Sequence, residues 1–461
     1  MFRKFKHIHF IGVGGIGMSG IAELLLEQGF KISGSDINDS ELISNLKSKG
    51  AIIYIGHNPK NISNSDLVVY SSAIQLENCE IIKAKQTGVP TIKRAEMLGE
   101  LIKLKEISVG VAGTHGKTTT ASLIGNLLSY GNQDPTLIIG GLVQSLKSNS
   151  KLGNGNIIVV EADEYDKSFL SMQPTIAVIT NLELEHTDCY DNLEELKNCF
   201  IKYCNSIPFY GLLSVCIDSR NVKDIITKIN KPIVTYGLLT KADYFANEIM
   251  FDGFNSFFSL HIKNKFLGRI KLNVPGNHNI LNALAAISVC HQLDMSIENI
   301  KKGLLEYRGV RRRFDVKYNK NDILVIDDYA HHPTEISVTL DAAKKGWNKR
   351  IISIFQPHLF TRTKYFYKEF ARALSSSDIL ILMDIYPARE EPITGISSRL
   401  ILEEIKIIKK ENIFYMQDFD KITKKLNELI LPNDLILFLG AGDIWRCSRD
   451  YVTLLEIENA N

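Results

Sequence analysis

Lys117 and Thr118 stand in GVAGTHGKTTT (110–120), behind Gly113 and Gly116, after an apolar run and ahead of a helical pattern. Backbone N–H groups of Gly113, Thr114, His115, Gly116 and the residues up to Thr118 can wrap a polyphosphate, with Thr119 beside them. The Lys117 ammonium reaches the β/γ oxygens and the Thr118 hydroxyl can ligate magnesium. The stretch departs from G-x-x-x-x-G-K-[ST], whose first glycine would fall on Val111. Strand, glycine loop and helix in that order still point to ATP rather than to a chance GKT at a helix start.

A triphosphate brings a cation, and the cation needs ligands. Glu161 and Asp163 follow the apolar NIIVV, so Glu161 falls at the carboxyl end of a strand, where open α/β sheets bind ligands. His186 follows TIAVIT through NLELEH, beside Glu183 and Glu185. Singly, Asp163 reads as a capping acid and His186 as a loop histidine. Two strand ends converging near the phosphate loop make Thr118, Glu161 and His186 the candidate metal set. Mg²⁺ prefers oxygen, so a histidine ligand suggests a second, less usual metal position.

A second cradle lies upstream. Gly12, Gly14 and Gly17 in HFIGVGGIGMSG (9–20) form G-x-G-x-x-G after a strand and open a helix, with Gly15 and Gly20 loosening the loop further. Asp36 closes the next strand, near the offset of about 20 residues at which an acid meets a ribose hydroxyl. The motif identifies a pyrophosphate on a helix N-terminus, not a nicotinamide. A nicotinamide-dependent oxidoreductase built on it leaves the Lys117 loop and Glu161 unexplained.

The elements that must position these residues alternate strand and helix throughout, which makes the chain α/β with parallel sheets. HIHFIGV, KISGSD, AIIYIG and DLVVYSS are separated by helical patterns such as Met18 to Gln28, with Gly29 as its cap. A second unit starts at ISVGVAGTHGKTTT and includes a β-rich stretch near 251–274 and a helix from about Asn277 to Leu293. A third, after YRGVRRRFD, has strands at ILVIDD, RIISIF, DILILMD and DLILFLG. Three α/β domains in series are expected, at 1–105, 106–313 and 314–461.

The 461 residues carry 54 Lys+Arg against 52 Asp+Glu, so no global charge pulls the protein toward nucleic acid or an anionic membrane. The seven cysteines have no paired spacing and read as reduced, cytosolic thiols. The basic-then-apolar start is broken by glycines in strand, turn and helix order, and reads as fold rather than export signal. No run of about 18 apolar residues is present, so no membrane span is expected.

These motifs resemble one family, the Mur ligases, ATP-dependent amide-bond formers of bacterial cell-wall synthesis. The similar segments are HFIGVGGIGMSGIAELL, SSAI (71–74), KRAEMLGEL (93–101), AGTHGKTTT, EADEYDKSF, TNLELEH, VPGNHNILNALAA, RGVRRRFD, DDYAHHPTE and GAGDI, in family order from residue 9 to 444. The resemblance implies a Rossmann-like N-terminal domain that holds the UDP of a sugar nucleotide, a P-loop-type ATP domain, and a Rossmann-like C-terminal domain that brings in the amino acid. It implies the alanine-adding branch: L-alanine joined to the lactyl carboxylate of UDP-N-acetylmuramate, in the cytoplasm, with ATP and two magnesium ions. It further implies UDP-sugar contacts from Ser71 and Ser72, adenine-side contacts from Asn279 and Asn282, and third-domain nucleotide contacts from Arg313 and Asp328. It also implies that Tyr329, His331 and Arg362 lie near the incoming amino acid and that Lys117, Glu161, His186 and Arg313 carry the chemistry. A murein-peptide ligase on the same sugar nucleotide is the nearest alternative, and a non-catalytic nucleotide-binding relative a more remote one.

Three departures stand out. QPHLFTRT has Leu359 where the family reads arginine, leaving Arg362 to grip a carboxylate. Glu185 replaces an aspartate. The position of the carbamylated lysine of sister ligases falls near Phe200, with Lys197 and Lys202 close by. In DDYAHHP, adjacent histidines point in different directions and Pro333 suits a helix start, so His331 reads as a substrate contact and His332 as a capping or packing residue. Arg308, Arg311, Arg312 and Arg313 read as a solvated linker with Arg313 turned inward, and Phe257 and Phe258 as core.

Overall fold

The structure, a computed structural model, describes residues 5–144, 148–185, 189–239, 241–388 and 390–458. Its first sheet runs, edge to edge, Ile52–Ile55, Lys31–Asp36, His7–Ile11, Leu67–Tyr70, Thr91–Lys93, with every pairing parallel. His7–Ile11 is buried along its whole length, so both faces must be covered, and helices cover them. One of these, Ile16–Glu27, buries Met18, Ile21, Leu24 and Leu25, each worth about 1.5–3 kcal/mol. It begins at Ile16 because Gly15 serves as N-cap, and Gly29 beyond its end takes φ +90°. Strand order reverses at His7–Ile11, which opens a crevice at its carboxyl end where the first glycine loop sits.

The second sheet has ten strands: Lys265–Leu272, Asn255–Ile262, Tyr244–Asp252, Ile233–Gly237, Leu212–Cys216, Ile176–Ile179, Ile107–Ala112, Ile157–Glu161, Thr136–Val143, Ser148–Lys151. Ile157–Glu161 and Ile176–Ile179 flank Ile107–Ala112 in parallel, with Val111 opposite Glu161 and Ala112 opposite Ile179. That register brings the carboxyl ends of both strands level with the start of the second glycine loop. The β-rich stretch near 251–274 proves to be strands of this sheet, and the expected helix is Asn277–Gln292.

The third sheet runs Asp315–Lys320, Ile323–Asp328, Asp434–Leu439, Arg350–Phe355, Ile379–Leu382, Ile413–Tyr415. Its apolar strands match the sequence reading. The antiparallel edge Asp315–Lys320 escapes it because DVKYNK buries only Asp315 and Tyr318.

Contacts divide the chain into two compact units: Met1–Ala246 with Leu260–Gly268 and Leu281–Tyr307, and Asn247–Ser259 with Arg269–Ile280 and Arg308–Asn461. The first holds the first sheet and the parallel core of the second; the other holds the third sheet. Among the described residues no helix is long and apolar enough to cross a membrane.

Candidate active site

The Lys117 loop is built by the strand ends beside it. Thr114 N–H donates to Asn181 O (3.2 Å), His115 N–H to Asn181 Oδ1 (2.9 Å), and Thr180 Oγ1 to His115 O (2.6 Å). The Thr114 hydroxyl exchanges bonds with the Glu183 backbone (2.9 and 3.1 Å). Gly116 adopts φ +81°, and a Cβ there would stand 2.6 Å from Asn282 Oδ1, which itself accepts from Thr120 Oγ1 (3.1 Å). Glycine is required there for both reasons. The helix Lys117–Tyr130 then starts with Thr118 and the largely buried Thr119 in its first turn.

Lys117 Nζ donates to Gly113 O (2.7 Å), Thr114 O (3.2 Å) and Glu164 Oε2 (2.8 Å). Burial works against its charge, but the attraction of Glu164 and Asp163 outweighs it and holds the ammonium above its ordinary range. On the other side of the helix start, Thr118 Oγ1 donates to Glu161 Oε2 (3.1 Å) and Gly140 N–H donates to Glu161 Oε1. Burial pushes the Glu161 carboxyl up, and the Gly140 N–H, Lys117 and Thr118 pull it only part of the way back. A half-buried carboxylate beside a threonine hydroxyl is a donor set that fits a hard divalent cation.

The other loop of the same unit is held from below. Gly12 N–H donates to Ser35 O (2.8 Å) and Gly14 N–H to Asp36 Oδ2 (2.8 Å), while Asp36 Oδ1 accepts from Asn38 N–H (3.1 Å). Asp36 thereby shapes the loop. Gly15 caps the helix, and Gly17 lies so close to Arg94 that a Cβ would meet its Nη1 at 3.0 Å. A guanidinium thus stands at a helix N-terminus already suited to phosphate. Ser71 N–H bonds Ile11 O (3.2 Å), and Ser72 lines a cavity of about 430 Å³ with Tyr70, Ile74, Lys93, Tyr165 and Asp166. Lys93 Nζ bonds Asp166 Oδ2 (3.0 Å), and Asp166 and Lys167 both sit at positive φ, 53° and 55°.

The two loops are joined by a seam of hydrogen bonds. Asn149 Nδ2 donates to Ile16 O at the start of the first loop's helix, and Ser150 Oγ donates to Glu23 Oε2 (2.9 Å) on the same helix. Glu23 is buried and also bonds Lys49.

The second compact unit gathers a different set. Asp328 Oδ2 accepts from Phe314 N–H and Oδ1 from Ala330 N–H (2.8 Å each). Burial pushes its carboxyl up to about 6 despite Arg313 and these two bonds. The guanidinium groups of Arg312 and Arg313 lie 4.9 and 5.2 Å from the Tyr329 ring. His331 Nδ1 faces Tyr329 O (2.9 Å), and its ring lies 5.8 Å from that of His358, whose Nδ1 stands 3.1 Å from Arg362 Nη1. Tyr329, His331 and Arg362 are thus brought together through His358.

Family models match the chain in three consecutive blocks: "Mur ligase family, catalytic domain" over 7–106, "Mur ligase middle domain" over 111–290, and "Mur ligase, glutamate ligase domain" over 312–442. The chain belongs to the Mur ligase family. Its relatives include the UDP-N-acetylmuramate–L-alanine ligases of Geotalea daltonii, 47% identical, and Geobacter sp. strain M21, 46%, each covering 99% of both chains. Among solved structures, the UDP-N-acetylmuramate-alanine ligase of Thermotoga maritima superposes with a TM-score of 0.84 at 30% identity, covering 98% of this chain and 99% of its own. A murein peptide ligase from Psychrobacter arcticus gives 0.72 at 26%, covering 97% and 98%.

In this Mur ligase, Lys117, Thr118, Glu161 and Asn282 converge at one loop. His186 lies outside the described residues. Asn279 spends its side-chain amide on Pro275 O (2.7 Å). His332 caps the helix Pro333–Gly346, accepting from Thr334 N–H (3.4 Å), with Pro333 in the first turn as expected. The linker reading gains one residue: Arg312 is half-buried as well as Arg313, Arg312 on Asp327 and Gly440 O and Arg313 beside Glu335. Phe258 is core, but Phe257 is half-buried under Lys271 because a strand alternates its faces. Phe200 packs edge-on against Phe169 in the core, and Lys197 is paired with Asp224 (2.9 Å). Leu359 is buried at φ +73° as N-cap of the helix Phe360–Leu374.

Sequence reading missed Glu164, Asn181, Arg94 and His358. Asn181 carries a signal, being the second of two polar residues, Thr180 and Asn181, that follow the buried strand Ile176–Ile179.

Proposed function

We propose that the protein is an ATP-dependent amide-bond ligase of peptidoglycan biosynthesis. It joins L-alanine to the lactyl carboxylate of UDP-N-acetylmuramate and yields UDP-N-acetylmuramoyl-L-alanine, ADP and phosphate. The carrying observation is that one compact unit presents two phosphate cradles, a glycine loop on a helix N-terminus and a Lys117–Thr118–Glu161 loop, joined by the Glu23 and Asn149 contacts. A sugar nucleotide and ATP each need one.

The lactyl carboxylate attacks the γ-phosphorus of ATP, ADP leaves, and an acyl phosphate forms. The neutral alanine amine then adds to the acyl carbon, and the tetrahedral species expels phosphate. Such transfer needs positioning and charge neutralisation more than a protein nucleophile. Lys117 supplies a fixed cation at the phosphates, and the first-turn N–H groups of Lys117–Tyr130 orient them. Thr118 and Glu161, with His186, would hold magnesium, two ions in all, which neutralises phosphate charge when bound. Gly12, Gly14, Gly15, Gly17, Ser71 and Ser72 take the UDP-sugar, Asp36 by shaping the loop. Asn279, Asn282, Arg313 and Asp328 are nucleotide contacts, and Tyr329, His331 and Arg362 receive alanine, one guanidinium gripping its carboxylate. The domains are 1–105, 106–313 and 314–461, and the protein works in the cytoplasm.

The test is phosphate release from ATP and Mg²⁺ with UDP-N-acetylmuramate, with and without L-alanine, and with the murein tripeptide as comparison amine. Release that depends on alanine is expected. Release with the tripeptide alone moves the substrate to the peptide, and silence with both overturns the ligase reading.

A further inference from the structure

We infer that Glu164 is a positioning residue: it sets the direction of the Lys117 ammonium and so acts on the nucleotide only through that lysine. The inference rests on the ATP reading of the loop. An ammonium has three donors, and here all three are used, on Gly113 O, Thr114 O and Glu164 Oε2. A polyphosphate must therefore displace at least one acceptor. The two carbonyls are neutral and belong to the loop whose N–H groups face the phosphates. Glu164 is charged, its side chain is 1% exposed, and Lys117 is its counter-charge at 2.8 Å. Drawing the ammonium off a buried carboxylate costs more than giving up a bond to a neutral carbonyl, so the carbonyls yield and Glu164 stays.

The backbone that carries this carboxylate is itself held in place. Glu164 O accepts from the buried Tyr190 hydroxyl (2.6 Å) and from Lys167 N–H (3.0 Å). Glu161 is bonded instead to Thr118 and Gly140, so the two acids of EADE divide the work. Glu161 serves the cation position, and Glu164 aims the lysine so that its two remaining donors sweep from loop carbonyls to phosphate oxygens.

The experiment measures ADP affinity by calorimetry in EDTA, which removes any metal-ligand role, on the full-length protein, E164Q, K117M and K117M/E164Q. Thermal melts confirm folding. E164Q is expected to weaken ADP about tenfold, the scale of one charge-assisted hydrogen bond, while in the K117M background the same change shifts affinity less than about twofold. Equal losses in both backgrounds, or no loss in E164Q, overturn the inference while leaving the ATP reading intact. Absence of ADP binding by the unmodified protein overturns that reading and the inference with it. If E164Q does not fold, E164D replaces it: the shorter arm keeps the charge but draws the ammonium off the phosphates, and a Lys117-dependent loss is again expected. An E164D that binds ADP as the unmodified protein does overturns the inference.

Discussion

Glu80 offers the sharpest test of how the first sheet is held. It sits in the first turn of the helix Cys79–Thr87, wholly buried, and accepts from the Ser35 hydroxyl (2.6 Å), Asn58 N–H (3.1 Å) and the Asn61 amide (2.7 Å). His9 and His57 nitrogens stand 3.5 Å away. Burial alone would raise this carboxyl; the bonds from His9, Ser35 and Asn58 outweigh it and hold it at about 2 instead of 4.5. A depressed carboxyl contributes stability above its unfolded value that is lost as pH falls from 4.5 toward 2. The size is about 3 kcal/mol. Glu80→Gln keeps the shape but turns one acceptor into a donor facing donors. At neutral pH the first sheet of the variant should open on the order of a hundredfold more often. Hydrogen exchange read on peptides covering Lys31–Asp36 and Leu67–Tyr70 isolates that sheet from the rest of a chain that need not unfold in one step. The gap between variant and parent should nearly close on acidification to about 2, where half of the folded Glu80 is already neutral. Equal protection at neutral pH, or a gap unchanged in acid, refutes the reasoning.

Four further outcomes are expected. Gly116→Ala places a Cβ 2.6 Å from Asn282 Oδ1 at φ +81°, and should cost about 1–2 kcal/mol of stability and weaken ADP, read by melting and calorimetry; intact affinity would remove the loop from the nucleotide site. Asp328, raised by burial from 3.8 to about 6, contributes stability that is full below 3.8 and fades as pH rises through 6. Asp328→Asn should flatten that decline of about 3 kcal/mol, seen as a melting temperature less dependent on pH over the window. Glu161→Gln should raise the Mg²⁺ concentration needed for phosphate release about tenfold, an unchanged requirement denying the carboxylate a metal role. Leu359→Arg should lower the alanine KM while leaving that of ATP alone; an alanine KM no lower than before argues that Arg362 already suffices.

Much of the scaffold was legible because buried parallel strands write themselves as unbroken apolar runs, as NIIVV, TIAVIT and DLILFLG do. The edges Thr91–Lys93 and Ile413–Tyr415 were not, since three half-exposed residues carry no periodicity. Lys117, Thr118 and Glu161 could be read because motif and strand end coincide. Glu164 could not: nothing in EADE says which acid turns to the lysine, and only the folded backbone, bonded at Glu164 O by Tyr190, brings its carboxylate to Lys117. Arg312 shows the same limit, because nothing in RGVRRRFD says that it pairs with Asp327 while Arg313 meets Glu335.

The seam at Glu23, Asn149 and Ser150 has a meaning for substrate choice. With the helix of one loop bonded to a strand of the other loop's sheet, these bonds constrain the span between the two proposed phosphate sites. Such a body works as a gauge. A sugar nucleotide whose acid hangs at the right reach from its diphosphate meets the γ-phosphate at high effective molarity, and one a few bonds longer or shorter is held just as tightly yet misses. Selection for the acid would then be written in turnover rather than in affinity.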